Sequence, residues 1–418
     1  MKFAASMKFI VTKPYLVALA LLLFLAPLVV SQNTNELYEF PKMFFVYFFA
    51  TAVIGFFLSD LVLNPIKLKK PSLVVVAFLL ANIVSTVFSS HRYTSVWGYY
   101  TRFNDGLVSN LLFFGLYFVA LNKLSKEDLV KLLKVSCLTV VPVGIAGILE
   151  HLGIGTSTVS RVYSTFGQPN WLAQYLAMLL PFILFLSLEE NFGFWLMVYV
   201  AGFSCLWFTY SVSGILGFIV GFLVLGLVIW KMKMLNKRTF AKTAVVITVS
   251  LIIAASNAGL FSEKINDAYK DFKKSISAIQ KVYALDNEHQ VSDPGFIRFG
   301  LWQGSVNLVF SSVKNFLIGT GPETFAYAFQ PFRLTSLNYS SEWDYVFNKP
   351  HNYYLGTWSE LGTLGLLSYL VLLVWLAKRL PKYLLPSFAG FVITNIFGWP
   401  VVATALLFWV WIAFAEAD

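Results

Sequence analysis

Long apolar runs recur along almost the whole chain and limit the folds it can adopt. Many of them reach about 17–25 residues, the length of helix that crosses the hydrocarbon core of a bilayer. Of the 418 residues, 58% are hydrophobic and only 12% are charged, whereas soluble proteins carry about 25% charged residues. Backbone polar groups in lipid need internal partners, so such runs form helices. The sequence therefore predicts an all-α polytopic membrane protein.

Short basic clusters between the runs set the predicted orientation. The positive-inside rule places clusters such as Lys67–Lys70 and Lys378–Lys382 in the cytoplasm. They all share that side if the chain has about twelve spans and both termini are cytoplasmic. The first run could instead be a signal peptide, but we expect a retained span in the cytoplasmic (inner) membrane. The predicted spans are Tyr15–Val30, Met43–Leu63, Ser72–Phe88, Gly106–Leu121, Leu129–Leu149, Trp171–Leu188, Phe194–Tyr210, Gly214–Trp230, Val245–Leu260, Tyr354–Leu376, Tyr383–Phe397 and Val401–Phe414.

A long polar stretch, 261–350, separates the ninth and tenth predicted spans. The predicted topology puts this loop outside the cytoplasm, in the periplasm or the extracellular space. Apolar residues recur every three or four positions from Phe261 to Val282, which predicts an amphipathic helix. That helix could lie on the membrane surface or pack on the rest of the loop. Asp293-Pro294 predicts the start of another helix, and Gly321-Pro322 a short one through Phe325. We expect one domain, 1–418, with a large, partly helical loop.

Composition and charge placement exclude several classes of function. The net charge of +10 lies in clusters between spans, so we expect no nucleic-acid partner. Cys137 and Cys205 lie inside apolar runs and are expected to be buried. The carboxylates Asp60, Glu150 and Glu360 fall near span ends, whereas a proton-coupled transporter would need one in mid-membrane. The sequence therefore disfavours a transporter.

Arginines on the predicted outer face mark a candidate site. Arg102, Arg161 and Arg298 lie in three loops that share this face. A guanidinium can bind two phosphate oxygens at once, so the group predicts an anion-binding site, although any one alone could contact lipid headgroups. His351 lies where the loop re-enters the membrane, and an imidazole can take a proton from a sugar hydroxyl. No ligand lies at metal-binding spacing from His351, so we expect neither metal nor cofactor.

Three motifs follow one another between Thr165 and Gly365. They are Thr165-Phe166-Gly167-Gln168-Pro169-Asn170-Trp171-Leu172-Ala173, then Arg298 and Trp302 with Gly319-Thr320-Gly321 and Phe325, then Pro350-His351-Asn352-Tyr353-Tyr354-Leu355 with Glu360-Leu361-Gly362-Thr363-Leu364-Gly365. In this order, with the large loop between spans, they resemble the O-antigen ligase and O-antigen polymerase superfamily.

The resemblance implies a GT-C-type fold and a metal-independent glycosyltransferase. The donor would be an undecaprenyl-pyrophosphate-linked glycan, and the acceptor a lipid A-core-like glycolipid or a protein. Arg298 would bind the pyrophosphate and stabilise the leaving charge, while His351 would help to activate the acceptor hydroxyl. The other expected substrate contacts are Arg161, Arg102, Asn352, Tyr354 and Asn170.

One motif departs from the superfamily pattern. The usual Thr-x-Ser-Arg at the end of the seventh span is Thr209-Tyr210-Ser211-Val212 here, with Val212 in place of the arginine. Arg161 or Arg102 could replace it from a neighbouring loop. A glycan ligase is the first hypothesis and a polysaccharide polymerase the alternative. A solute transporter or a non-catalytic envelope scaffold is less favoured.

Overall fold

The computed structural model describes residues 13–154, 161–259, 261–263, 265–266, 269–270, 294–340 and 342–417. These residues form α-helices, short 3₁₀ turns and loops, with no β-strand among them. The predicted all-α fold class is therefore confirmed for the described chain.

The described α-helices follow the predicted apolar runs. Each of the twelve runs overlaps at least one helix, and further helices lie between the runs. In chain order the α-helices are α1 (Pro14–Leu25), α2 (Glu39–Leu63), α3 (Leu73–Val87), α4 (Arg92–Trp97), α5 (Leu107–Lys123), α6 (Lys126–Leu138), α7 (Val140–His151), α8 (Pro169–Glu189), α9 (Phe192–Phe208), α10 (Val212–Lys231), α11 (Lys237–Ser256), α12 (Pro294–Phe310), α13 (Val313–Ile318), α14 (Phe325–Ala328), α15 (Tyr353–Arg379), α16 (Leu385–Thr394) and α17 (Val402–Glu416).

Helix length and composition identify a membrane protein. Among the described residues, 6 helices are long and apolar enough to cross a membrane: α2, the continuous pair α6–α7, α8, α10, α11 and α15. Shorter apolar helices are α1, α3, α5, α9 and α17. The count of about twelve spans, the single-domain assignment and the 261–350 loop boundaries stay predictions.

Two hydrophobic cores hold the described chain together. The larger core runs through the apolar helices, with α8 buried between α9, α10 and α16. A smaller core joins α12, α14 and the segment up to Phe347. These lie in the 261–350 stretch, which we call the outer loop after its predicted location. Pro350 and His351 lie between the two cores, just before α15.

A glycine interrupts α15, which the sequence presented as one uninterrupted span. Gly362 has φ +67° and ψ −172°, outside the helical region. The break receives Gly319 of the outer loop, where a Cβ would collide with the Glu360 carbonyl. Thr320 N donates to Ser359 O at 3.1 Å and Gly321 N donates to Glu360 O at 2.9 Å. These bonds dock the outer loop onto the opened helix, so the two glycine motifs form one structural joint.

The outer-loop predictions have mixed outcomes. A helix does begin at Pro294, but Asp293, its predicted cap, lies outside the described residues. The described residues between 261 and 270 are helical, and the rest of the predicted amphipathic helix also lies outside the described ranges. The short helix after Pro322 begins at Phe325 instead of running through it, because Gly321 (φ +110°) and Glu323 (φ +61°) hold the backbone in the left-handed region.

Candidate active site

The Pro350-His351 turn sits at the entrance to α15 in a strained conformation. His351 has φ +54°, a region that non-glycine residues rarely adopt. Trp302 Nε1 on α12 donates to Pro350 O at 3.0 Å. Tyr353 N donates to Asn395 O, just after α16, at 2.8 Å. The turn is therefore fixed from the outer loop on one side and from the membrane helices on the other.

Arg102 lies against the aromatic side chains beside this turn. It is 8% exposed, and its guanidinium carbon lies 5.3 Å from the ring centroid of Trp171 and 5.6 Å from that of Trp399. The imidazole of His351 meets Trp399 edge to face, with centroids 5.1 Å apart. No hydrogen bond or ion pair to this guanidinium is found within the described ranges. Its five donors are therefore available to a bound anion.

The three predicted arginines are linked electrostatically through His351 and Arg298. Burial, with the charges of Arg298 and Arg102, lowers the pKa of His351 to about 3, so the imidazole is neutral at pH 7. Burial and the charge of Arg298 also lower the pKa of Arg161. Burial lowers the pKa of Arg298, opposed by the charge of Glu342. The structure thus brings His351, Arg102, Arg161 and Arg298 together, and we call them the arginine cluster.

Arg161 reaches the position where the superfamily motif lacks its arginine. Its Nε donates to Thr209 O at 2.9 Å and its Nη2 donates to Asn170 Oδ1 at 3.0 Å. Ser211 Oγ donates to the same Asn170 oxygen at 2.7 Å. Val212, the next residue, is 40% exposed. Of the two arginines expected to compensate for Val212, Arg161 is the one held at this stretch.

Two predicted substrate contacts have partners inside the fold. Asn352 Oδ1 accepts from Leu355 N at 3.0 Å and caps α15. Tyr354 donates its hydroxyl to Val392 O at 2.8 Å, which ties α15 to α16. Both interactions shape the entrance to α15. Contacts of Asn352 and Tyr354 with substrate stay predictions, as do the roles of Asn170 and the arginine cluster.

Sequence reasoning missed a second charged cluster on the other side of the turn. Buried Lys349 contacts Glu323, with Glu360 at 3.4 Å and Asp105 at 3.8 Å; we call these four residues the acidic cluster. Burial alone would lower the pKa of Lys349, but the three carboxylates raise it. Burial and the charge of Glu323 raise the pKa of Asp105 to about 7 against the opposing charge of Lys349. The one available signal was a lysine directly before Pro350-His351.

Other expectations concern cysteines and metals. Cys137 and Cys205 are both free and buried, as predicted. Over the ranges that the structure describes, no group of three or more His, Cys, Asp or Glu side chains could hold a metal ion. A metal-independent reaction stays a prediction.

Residues 194–370 match a family model described as O-Antigen ligase. The match runs from α9 into α15 and includes Arg298, His351 and both glycines of the α15 joint. Arg102 and Arg161 lie before it. No curated protein matches the chain. The resemblance to the O-antigen ligase and polymerase superfamily is therefore confirmed over this segment, and that family works in a membrane with a glycan-linked lipid donor and an acceptor.

Proposed function

We propose that this chain, with its O-antigen ligase domain at residues 194–370, is a membrane glycosyltransferase. It transfers a glycan from undecaprenyl pyrophosphate to a hydroxyl of a surface acceptor, either a lipid A-core-like glycolipid or a protein. The reaction takes place on the outer face of the cytoplasmic membrane, with both termini in the cytoplasm and the 261–350 loop outside.

The free guanidinium of Arg102 carries this proposal. A buried arginine is stable when an anion completes its hydrogen bonds, and Arg102 has no such partner among the described residues. Arg298 adds positive charge beside the same neutral His351, and Arg161 adds it beside Arg298. A pyrophosphate offers several oxygens to planar guanidinium groups, so it fits the arginine cluster better than a carboxylate or a neutral ligand does.

Bond changes in the proposed reaction assign one task to each residue. The bond between the glycan C1 and the pyrophosphate oxygen breaks, and its electron pair stays on that oxygen. Arg298 and Arg102 stabilise the developing charge. The acceptor oxygen forms its bond to C1 as its proton moves to the free ring nitrogen of His351.

Donor binding would also strengthen the base. The charges of Arg298 and Arg102 help to hold the pKa of His351 far below its ordinary value. A bound pyrophosphate offsets those charges, so the pKa rises toward the working pH, where a general base is most effective. His351 then becomes a competent base only when the donor is in place.

The direct test is glycan transfer by the purified chain in lipid nanodiscs. The donor is an undecaprenyl-pyrophosphate glycan, and the acceptors are lipid A-core and candidate proteins. We expect His351→Gln to lower the transfer rate by about 10²–10⁴-fold and Arg298→Met to lower it similarly, with both variants folded. His91→Gln is the matched control, since exposed His91 stacks on Tyr327 outside the arginine cluster. Unchanged transfer in both site variants would refute the assignment.

Product lengths separate the remaining functions. Attachment of the whole glycan in a single step supports the ligase. A ladder of lengths on the lipid carrier would reassign the chain to polymerisation. Uptake of solute into vesicles without glycan transfer would indicate a transporter. If the chain shows neither uptake nor transfer, a scaffold is the remaining function.

A further inference from the structure

A small cavity opens beside His351, between α8, the start of α10 and the segment after α16. Its walls include Asn170, Trp171, Gln174, His351, Thr394 and Trp399. The cavity volume is about 10 Å³, close to what one water-sized group requires. It therefore has room for a single hydroxyl and not for a phosphate.

The lining of this cavity fits a neutral polar group. None of the described residues that line it is an acid, a lysine or an arginine; they supply amides, hydroxyls, an imidazole and indole rings. The guanidinium groups lie behind the walls instead, Arg102 against the rings of Trp171 and Trp399 and Arg161 on Asn170. The proposed anion site and the neutral cavity therefore lie next to each other.

Two buried atoms of the cavity residues lack hydrogen-bond partners. They are Trp399 Nε1, a donor, and Gln174 Oε1, an acceptor, and neither finds a partner in the described parts of the chain. The side chains are 7% and 3% exposed. Gln174 Nε2 donates to Asn395 Oδ1 at 2.6 Å. This bond fixes the orientation of the amide and leaves Oε1 without a donor among the described residues. A hydroxyl both accepts and donates, so it is the neutral group that complements a free donor and a free acceptor.

We propose that this cavity is the subsite for one hydroxyl of the acceptor sugar. Trp399 Nε1 donates to the hydroxyl oxygen, and the hydroxyl donates to Gln174 Oε1. The ring then rests at the cavity mouth, where a neighbouring hydroxyl reaches His351. Trp399 and Gln174 select for a sugar that carries a hydroxyl at this position. The inference rests on the proposed function and adds where the acceptor binds.

The test measures binding, so it does not depend on turnover. The probes are methyl glycosides of common hexoses and N-acetylhexosamines. Their binding to the full chain in nanodiscs is measured by saturation-transfer NMR. Inorganic pyrophosphate is titrated separately. Trp399→Phe keeps an aromatic wall and removes the donor, and Gln174→Met removes the acceptor. Each should weaken binding of the preferred glycoside about tenfold, the size of one lost neutral hydrogen bond, and leave pyrophosphate affinity unchanged.

Trp207→Phe is the matched control. Trp207 Nε1 is also buried without a partner among the described residues, but its ring packs on Phe261, away from the cavity. This variant should bind glycosides and pyrophosphate as the unmodified chain does. In transfer assays, Trp399→Phe and Gln174→Met should each raise the acceptor KM about tenfold.

The outcomes separate this inference from the proposed function. If the glycosides fail to bind, or bind equally well to the Trp399→Phe variant, the cavity holds only water. Either result overturns the inference, even if transfer is active. Equal weakening of glycoside and pyrophosphate binding overturns it too. Glycoside binding that needs Trp399, in a chain without transfer activity, keeps the sugar site and overturns the glycosyltransferase proposal.

Discussion

The acidic cluster and the arginine cluster flank the same turn and are built in opposite ways. The acidic cluster places one cation, Lys349, within 3.8 Å of the farthest of three carboxylates. The arginine cluster places a neutral histidine beside Arg102 and Arg298, with Arg161 beside Arg298, and no carboxylate forms an ion pair with these arginines within the described ranges. One cluster is closed by ion pairs among its own members, whereas in the other no guanidinium is paired with a carboxylate of the described chain.

This difference assigns the clusters different tasks. Buried charges are tolerated when they are paired, and Lys349 pairs with residues from the α4–α5 loop, the outer loop and α15. The acidic cluster therefore anchors Lys349, which lies two positions before His351 in the turn that leads into α15. The arginine cluster is completed by an external anion. Its loss should affect binding and rate, and loss of the acidic cluster should affect folding.

Breaking the acidic cluster should have the largest effect. Lys349→Met leaves three buried carboxylates without their cation, and removing one partner of a buried ion pair costs about 3–5 kcal/mol. We expect a large drop in thermal unfolding temperature in detergent. Lys378→Met, at the exposed end of α15, should change nothing, and Glu323→Gln added to Lys349→Met should recover part of the loss. A Lys349→Met variant as stable as the unmodified chain would contradict the anchoring role.

Proton uptake by the acidic cluster should appear as a pH dependence of stability. The pKa of Asp105 is raised to about 7 from an ordinary value near 4. Between about pH 4 and pH 7 the folded chain holds a proton that the unfolded chain releases, so stability is highest at the acid end and falls as pH rises to 7. Asp105→Asn should reduce this decline, measured by unfolding across pH, because the remaining carboxylates of the cluster share the proton, and the exposed Asp344→Asn should retain it. An unchanged slope in Asp105→Asn would place the proton elsewhere.

Removing the free guanidinium should affect binding and rate but spare stability. Arg102→Met takes away charge stabilisation of the leaving pyrophosphate, which we expect to lower transfer by about 10²-fold and to weaken pyrophosphate binding. Arg102→Lys should recover little, since an ammonium lacks the planar pair of donors. Arg92→Met, on the exposed face of α4, serves as the control. A fall in unfolding temperature without loss of pyrophosphate binding would make Arg102 structural.

Moving the arginine from position 161 to position 212 tests whether Arg161 replaces the arginine that the superfamily motif has at Val212. Arg161→Met should lower transfer about tenfold, because it removes charge-assisted hydrogen bonds near the proposed anion. Val212→Arg in that background should restore part of the rate, since Val212 follows Ser211 directly and its side chain is partly exposed. Val212→Ile is the control that adds no charge. No recovery would mean that Arg161 acts through Asn170 and not through its charge.

Much of the fold followed from the sequence because lipid forces long apolar runs into helices. The break in α15 did not follow, although Glu360-Leu361-Gly362 was recognised as a motif. A glycine inside an apolar run is compatible with a straight helix. Gly362 adopts its left-handed conformation because Gly319 docks there from forty residues upstream, and such long-range contacts leave no mark in local periodicity.

The two clusters differed in how far they could be predicted. Arg102, Arg161 and Arg298 were predicted to lie together because the charge rule for topology puts their loops on one face. Asp105, Glu323 and Lys349 resemble ordinary loop charges, and nothing local indicates that they meet. Trp399 and Gln174 were missed because an indole between two apolar runs and an amide within another suggest packing alone. Their free atoms become visible only when neighbouring partners can be counted.

The smallest effect should come from the bond that links the outer loop to the turn. Trp302→Phe removes the donor to Pro350 O, which should lower the stability by about 1 kcal/mol. It also releases one hold on the strained His351, so kcat should fall a few-fold while the donor KM stays constant. Trp358→Phe is the matched control, since it removes an equivalent 3.0 Å bond to Thr363 Oγ1 within α15. Equal kcat losses in both variants would mean that Trp302 only stabilises the fold; a loss confined to Trp302→Phe would show that it positions His351.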